Sequence, residues 1–171
     1  MKMRNEKLVV LVEGALMVAV AFVLSFVKIY DLPQGGSVTL GSMVPILLFA
    51  ARRGAGPGIM VGAVYGMLQF IIEPVFVHPA QLVFDYPLAF GALGLAGLFG
   101  ENVLKGAFAG VFGRFVSHFI SGVIFFAEYA GEQNVYLYSA TYQAGYLVPE
   151  FIISVLVLRL GLHHLVKRPR I

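Results

Sequence analysis

Six apolar stretches run along the chain, separated by short segments where glycine, proline and charged residues gather. The first covers residues 8–27 and stops at Lys28. Residues 29–39 then read as loop, because Asp31, Pro33, Gln34, Gly35 and Gly36 interrupt any regular element. Further stretches follow at 40–51, 56–72, 80–99, 104–126 and 138–165, with a polar linker at 128–135. A helix needs about 20 apolar residues to cross a hydrocarbon layer of about 30 Å. The second stretch is shorter than that and contains Pro45, so it is expected to tilt or to begin inside the preceding loop. The pattern predicts an all-α integral membrane protein, a bundle of six transmembrane helices forming a single domain over residues 1–171.

Charge supplies the orientation. Lys2, Arg4 and Lys7 precede the first stretch, Arg52 and Arg53 follow the second, Lys105 follows the fourth, and Lys167, Arg168 and Arg170 follow the sixth. With six crossings these four places share one side, and basic residues favour the cytoplasm. The opposite loops carry Lys28 with Asp31, then Glu73, then Glu128 and Glu132. Both termini are therefore expected to be cytoplasmic, with residues 8–27 retained as a membrane helix and not cleaved as a signal peptide.

Composition agrees: 59% of residues are hydrophobic and only 12% charged, against about 25% charged in soluble domains. The net charge of +3 is confined to chain ends and one loop, which excludes a nucleic-acid-binding stripe. With no cysteine there is no disulfide, thiolate metal site or cysteine nucleophile. No phosphate-binding loop, H-E-x-x-H or G-x-S-x-G sequence occurs, so the chain is read as neither an enzyme nor an ATPase, with no cofactor and no metal. His163 and His164 adjoin the basic tail and are not read as metal ligands.

Small residues predict how the helices pack. Gly54, Gly58, Gly62 and Gly66 recur at every fourth position, and Gly106 and Gly110 repeat the spacing, so backbones can approach closely there. Ala15 and Ala19, with Gly14, form a flat patch on the first helix, suited either to internal packing or to docking of another membrane subunit.

Against this background two polar groups stand out. Asp85 lies in Leu82-Val83-Phe84-Asp85-Tyr86-Pro87, and His118 in Ser117-His118-Phe119-Ile120. An ionisable group at membrane depth is costly and normally faces a protein interior or a ligand or ion path. Gln81 is one turn before Asp85, and Tyr86 is next to it. His118, Gly122, Phe125 or Phe126, and Tyr129 can share one helical face, as can Tyr138, Tyr142 and Tyr146, with Gln143 adjacent. A carboxylate among aromatic faces suits a small cationic heteroaromatic molecule. The alternatives are a structural Asp85–Arg114 ion pair, an interior His118 bonded to a backbone carbonyl, and tyrosines serving as an interfacial belt. Pro149 and Glu150 fall near the middle of the last stretch, where they can kink the helix and fill the freed hydrogen bonds; a site role for Glu150 is the weaker alternative.

Glu13-Gly14-Ala15-Leu16-Met17-Val18-Ala19, Ser37-Val38-Thr39-Leu40-Gly41-Ser42-Met43-Val44-Pro45, Ala51-Arg52-Arg53-Gly54, Asp85-Tyr86-Pro87-Leu88-Ala89-Phe90 and Arg114-Phe115-Val116-Ser117-His118 together resemble one family. It comprises the thiamine-specific substrate-binding subunits (S components) of energy-coupling factor transporters. The resemblance covers nearly the whole chain, with the Asp85 and His118 segments the most specific. It implies a prokaryotic plasma-membrane subunit that captures thiamine from outside, working with a transmembrane coupling protein and two cytoplasmic ATPases. It implies ligand contacts at Asp85, His118, Phe126, Tyr138 and Gln143, with Tyr86 and Tyr142 beside them, and docking through Ala15 and Ala19.

Several positions differ from the family pattern. Asp85 stands where the family can have Glu, Phe126 where it can have Trp, and Gln143 where Asn is frequent. The first loop has Gly36 at the place of a lid aromatic, leaving Tyr30 as the nearest substitute. Two other readings stay open: a related subunit for another vitamin or a pyrimidine precursor, and a self-sufficient proton-coupled secondary transporter working through Asp85 or His118.

Overall fold

The computed structural model describes residues 2–161 and 163–166; the tail residues Lys167, Arg168 and Arg170, used above for orientation, lie outside them. Helix α1 spans Lys2–Ser25 and leads into an antiparallel hairpin of β1 (Lys28–Asp31) and β2 (Ser37–Thr39). Then come α2 (Val44–Arg53), α3 (Ala55–Ile72), a helical rod α4 (Pro79–Leu98), α5 (Val103–Phe125), α6 (Val135–Gly161) and a short α7 (His163–Val166). Five of these, over Asn5–Ser25 and through α3, α4, α5 and α6, are long and apolar enough to cross a membrane.

Sequence signals account for the helix ends. His78 Nδ1, Asn102 Oδ1 and Asn134 Oδ1 each accept a bond from a first-turn amide of α4, α5 and α6, and Pro79 opens α4. Gly54 adopts φ 92°, a left-handed conformation that ends α2 and turns the chain into α3. Its own Cβ would meet nothing within 4 Å, yet its backbone still packs on α4, where a Cβ on Gly97 would lie 2.3 Å from the Gly54 carbonyl carbon.

The rest of that stripe works by absence of side chains. A Cβ on Gly62 would lie 2.3 Å from the Phe90 carbonyl oxygen, and one on Gly66 would lie 2.4 Å from that of Tyr86. From the facing side, a Cβ on Gly94 would lie 2.2 Å from Ile59 N. Helices α3 and α4 thus meet backbone to backbone. Gly14 also faces inward, where a Cβ would meet Val61 at 2.8 Å, while Ala15 and Ala19 are exposed. The flat patch on α1 consists of the two alanines without Gly14.

Two elements differ from the expectation. Residues 29–39, read as loop, contain the hairpin: Lys28 pairs with Thr39, Tyr30 with Val38 and Asp31 with Ser37, around a Pro33–Gly35 turn. Strands of three and four residues within a Gly/Pro segment leave no periodic trace. Helix α2 has only ten residues, about 15 Å at 1.5 Å each. Its Val44–Ala50 side chains are all buried, so protein and not lipid surrounds it. Irregular backbone at membrane depth is tolerated in such a setting.

Ionic contacts mark the two ends of the bundle. Glu13 of α1 pairs with Arg52 at 3.2 Å and with Arg53, whose Nε donates to it at 2.7 Å. Beyond the other end of α1, Lys28 contacts Glu73 at 2.7 Å and Asp31 at 3.2 Å. Those bonds, the one to Glu73 foremost, hold the Lys28 pKa above its ordinary value against the opposing effect of burial.

Candidate binding cavity

Pro87 lies inside α4 and cannot donate a helical hydrogen bond. Around it, Phe84–Leu88 widens into a single π-helical turn carrying Asp85. Ser117 Oγ of α5 donates to the Phe84 carbonyl at 2.7 Å and fastens this turn to α5. One helical residue later on α5, His118 Nδ1 lies 3.0 Å from Asp85 Oδ1. Arg114 Nε–H donates to His118 Nε2 at 3.2 Å. With Nε2 accepting, the ring proton belongs on Nδ1, and the imidazole donates to Asp85. Gln81 Nε2 donates to the other carboxylate oxygen at 2.7 Å.

This relay settles two of the alternatives left open by the sequence. Asp85 forms no ion pair with Arg114 among the described residues; His118 stands between them. The guanidinium instead lies over the Phe90 ring at 4.0 Å and near that of Tyr146 at 5.9 Å. Nor is His118 held by a backbone carbonyl through its ring, since both ring nitrogens have side-chain partners.

The cavity beside this relay has a volume of about 130 Å³. A single water needs roughly 10–15 Å³ on this measure, so the space admits a small organic molecule. Asp85, Tyr86, His118, Phe126, Tyr138, Tyr142 and Gln143, all expected site residues, line it together. Phe126, at the C-terminal cap of α5, does so, whereas the alternative Phe125 stacks on His78 at 5.3 Å. Tyr30 does not reach the cavity; it is 58% exposed on β1.

Several lining groups are already engaged. Tyr86 Oη accepts from Val75 N–H at 2.8 Å and donates to the Glu73 carbonyl at 3.1 Å, fixing the loop between α3 and α4. Gln81 holds the same loop through Val75 and Val77 while touching Asp85. Gln143 Oε1 accepts from Tyr146 Oη at 2.6 Å, and its Nε2 donates to the His118 carbonyl at 3.4 Å. Tyr142 Oη donates to the Pro33 carbonyl and accepts from Gly36 N–H at 3.1 Å, which fastens the hairpin turn to the cavity wall, where Gln34, Gly35 and Gly36 join the lining. A Cβ on Gly36 would sit 2.9 Å from the Tyr146 ring; at this point the turn packs too closely for a side chain.

Asp85 shares the cavity wall with two other acids. Glu73 and Glu150 also line the cavity, with Lys28 at its rim and Thr39 and Ser42 beneath the hairpin. The serine-threonine density of Ser37, Thr39 and Ser42, just before α2, was the available signal for the last two. No cluster of metal-ligating side chains occurs among the described residues.

Residues 11–168 match the family model described as thiamine transporter protein. The thiamine transporter ThiT of Bacillus subtilis is 38% identical over 175 aligned positions, covering 91% of each chain. That of Lacticaseibacillus paracasei is 30% identical, covering 90% of this chain and 87% of the relative. Among solved structures, ThiT from Listeria monocytogenes superposes with a TM-score of 0.82 at 25% identity, over 95% of this chain and 96% of that one.

Proposed function

This chain belongs to the thiamine transporter protein family, and we propose from that premise that it captures extracellular thiamine as the substrate-binding subunit of an energy-coupled uptake system. It is a multi-pass plasma-membrane protein whose relatives are named transporters and not enzymes. The single observation carrying the ligand assignment is Asp85: a largely buried carboxylate on a cavity wall, bonded by a neutral imidazole and an amide, with the nearby guanidinium drawn onto aromatic rings. Its charge is thereby left for a cationic guest.

Thiamine carries a permanently positive thiazolium and an aminopyrimidine. In this reading Asp85 opposes the thiazolium charge, while Phe126 and Tyr138 supply flat walls. Gln143 and His118 hold the carboxylate side of the cavity in shape and offer their remaining polar edges. The hairpin forms the lid, fastened by Tyr142. The buried α2, extended by the residues after β2, makes a sixth crossing. In this reading both termini are cytoplasmic and residues 1–171 form one domain.

Titration of the purified protein with thiamine, its pyrimidine half and riboflavin tests the assignment. Saturable binding of thiamine is expected, at least about 100-fold tighter than the neutral pyrimidine half, which lacks the charge Asp85 recognises. Equal binding of the two, or preference for riboflavin, overturns it.

Ala15 and Ala19 present a smooth, exposed strip of α1 on the lipid side of the bundle. We assign this strip to docking of the transmembrane coupling protein, whose two ATPases supply the energy for release inward. Ala15→Trp is expected to leave thiamine affinity unchanged and to abolish uptake in cells expressing the full transporter. Undiminished uptake rules the strip out.

A further inference from the structure

Glu150 takes no part in the Asp85–His118 relay, yet it lines the same cavity and is only 2% exposed. Its Oε1 receives two bonds from Thr39 of β2, one from the N–H and one from Oγ1 at 2.5 Å. Thr39 Oγ1 in turn accepts from Ser42 N–H at 3.1 Å and lies 2.8 Å from the Ser42 hydroxyl. The second carboxylate oxygen, Oε2, is buried and has no protein hydrogen-bond partner among the described residues. Three other atoms share that condition, Glu13 Oε1 and the hydroxyls of Ser121 and Ser154, but none lines the cavity, and Glu13 Oε1 has the Arg52 guanidinium 3.2 Å away. A buried acceptor without a donor is unfavourable, and a carboxylate oxygen can be satisfied only from the donor side.

We propose that Glu150 Oε2 is a second recognition point in the cavity, accepting a hydrogen bond from a hydroxyl or amino N–H of the bound ligand. The inference rests on the thiamine reading above and extends it: Asp85 answers the ligand's charge, and Glu150 answers a neutral donor. Because Oε1 of the same carboxylate holds β2, the ligand and the hairpin share one side chain. A guest seated on Oε2 therefore fixes the rotamer that keeps the hairpin strand in place.

The test separates ligand contact from hairpin support by titrating three ligands: thiamine, an analogue without the side-chain hydroxyl, and an analogue without the pyrimidine amino group. Each is measured against the wild-type chain, Glu150→Gln and Thr39→Val. Glu150→Gln turns one acceptor into a donor and is expected to weaken thiamine binding by at least about tenfold. Against the analogue that lacks the matching donor, the same substitution should have no further effect. Thr39→Val removes the hydroxyl bond to Oε1 but leaves Oε2 in place, so it should preserve the preference for thiamine over that analogue.

An equal loss for all three ligands in Glu150→Gln reduces Glu150 to a support of the hairpin and overturns the proposal, as does unchanged thiamine affinity. Should Glu150→Gln fail to fold, Glu150→Asp carries the test, because it withdraws the same acceptor by one methylene and should show the same analogue dependence. Failure of the wild-type chain itself to bind thiamine refutes the thiamine reading and this inference together, and is seen before any variant is measured.

Discussion

Asp85→Asn is expected to weaken thiamine binding by roughly 100-fold or more while leaving a folded protein. Removing one partner of a buried charge pair generally costs about 2–5 kcal/mol. The geometry indicates where the loss arises. Asparagine Oδ1 can still accept from His118 Nδ1–H, so the 3.0 Å contact with α5 survives. The new amide nitrogen, however, would face Gln81 Nε2, a donor meeting a donor. Gln81 cannot simply turn over, because its oxygen accepts from Val77 N–H and its nitrogen donates to the Val75 carbonyl. The substitution thus removes the charge and disturbs the loop between α3 and α4. Asp85→Glu restores the charge with one more methylene and should recover most of the affinity. Titration of both variants, with thermal unfolding to confirm that each is folded, checks this. Unchanged affinity in Asp85→Asn dismisses the carboxylate as the cation's partner.

The largest effect on the fold itself is expected from Gly62→Leu. Even the first carbon of a side chain there would lie 2.3 Å from the Phe90 carbonyl oxygen and 3.0 Å from its carbon, and helix backbone cannot yield as a flexible side chain can. Overpacking costs about 1–3 kcal/mol in cores where side chains can adjust, occasionally more; here two helix backbones must part. Helix α4 also carries Asp85, so any separation reaches the cavity. Loss of folded protein, or a sharply lowered Tm with no thiamine protection, is the expected readout. Gly56→Ala is the control on the same helix, since its Cβ would meet nothing within 4 Å. Equal damage from both substitutions dismisses close approach as the reason for the glycines.

The features legible in the sequence were those that violate a strong local rule. Asp85 and His118 interrupt apolar stretches, and a membrane makes such interruptions expensive. The tyrosines of α6 repeat at helical spacing, and Gly58, Gly62 and Gly66 do so on α3, so periodicity reported both. What sequence could not supply was direction. Gly14 and Ala15 are neighbours, yet one faces Val61 and the other faces outward. Phe125 and Phe126 fitted the same helical face equally well; the end of α5 at Phe125 decides between them. The His118 ring nitrogens could not be assigned, because their partners lie four residues before it on α5 and on α4, and only packing brings all three together. The hairpin and the π-helical turn escaped for a different reason: each is too short to repeat.

A single oxygen atom, Tyr142 Oη, bonds both arms of the hairpin turn, the Pro33 carbonyl on one side and the Gly36 amide on the other. The base of the hairpin is anchored separately, through Thr39 on Glu150 and Lys28 on Glu73. The tip and the root are thus held by different side chains. In the lid role proposed above, opening of the tip would break the two Tyr142 bonds and the packing of Gly36 on the Tyr146 ring, while the contacts at the root need not change.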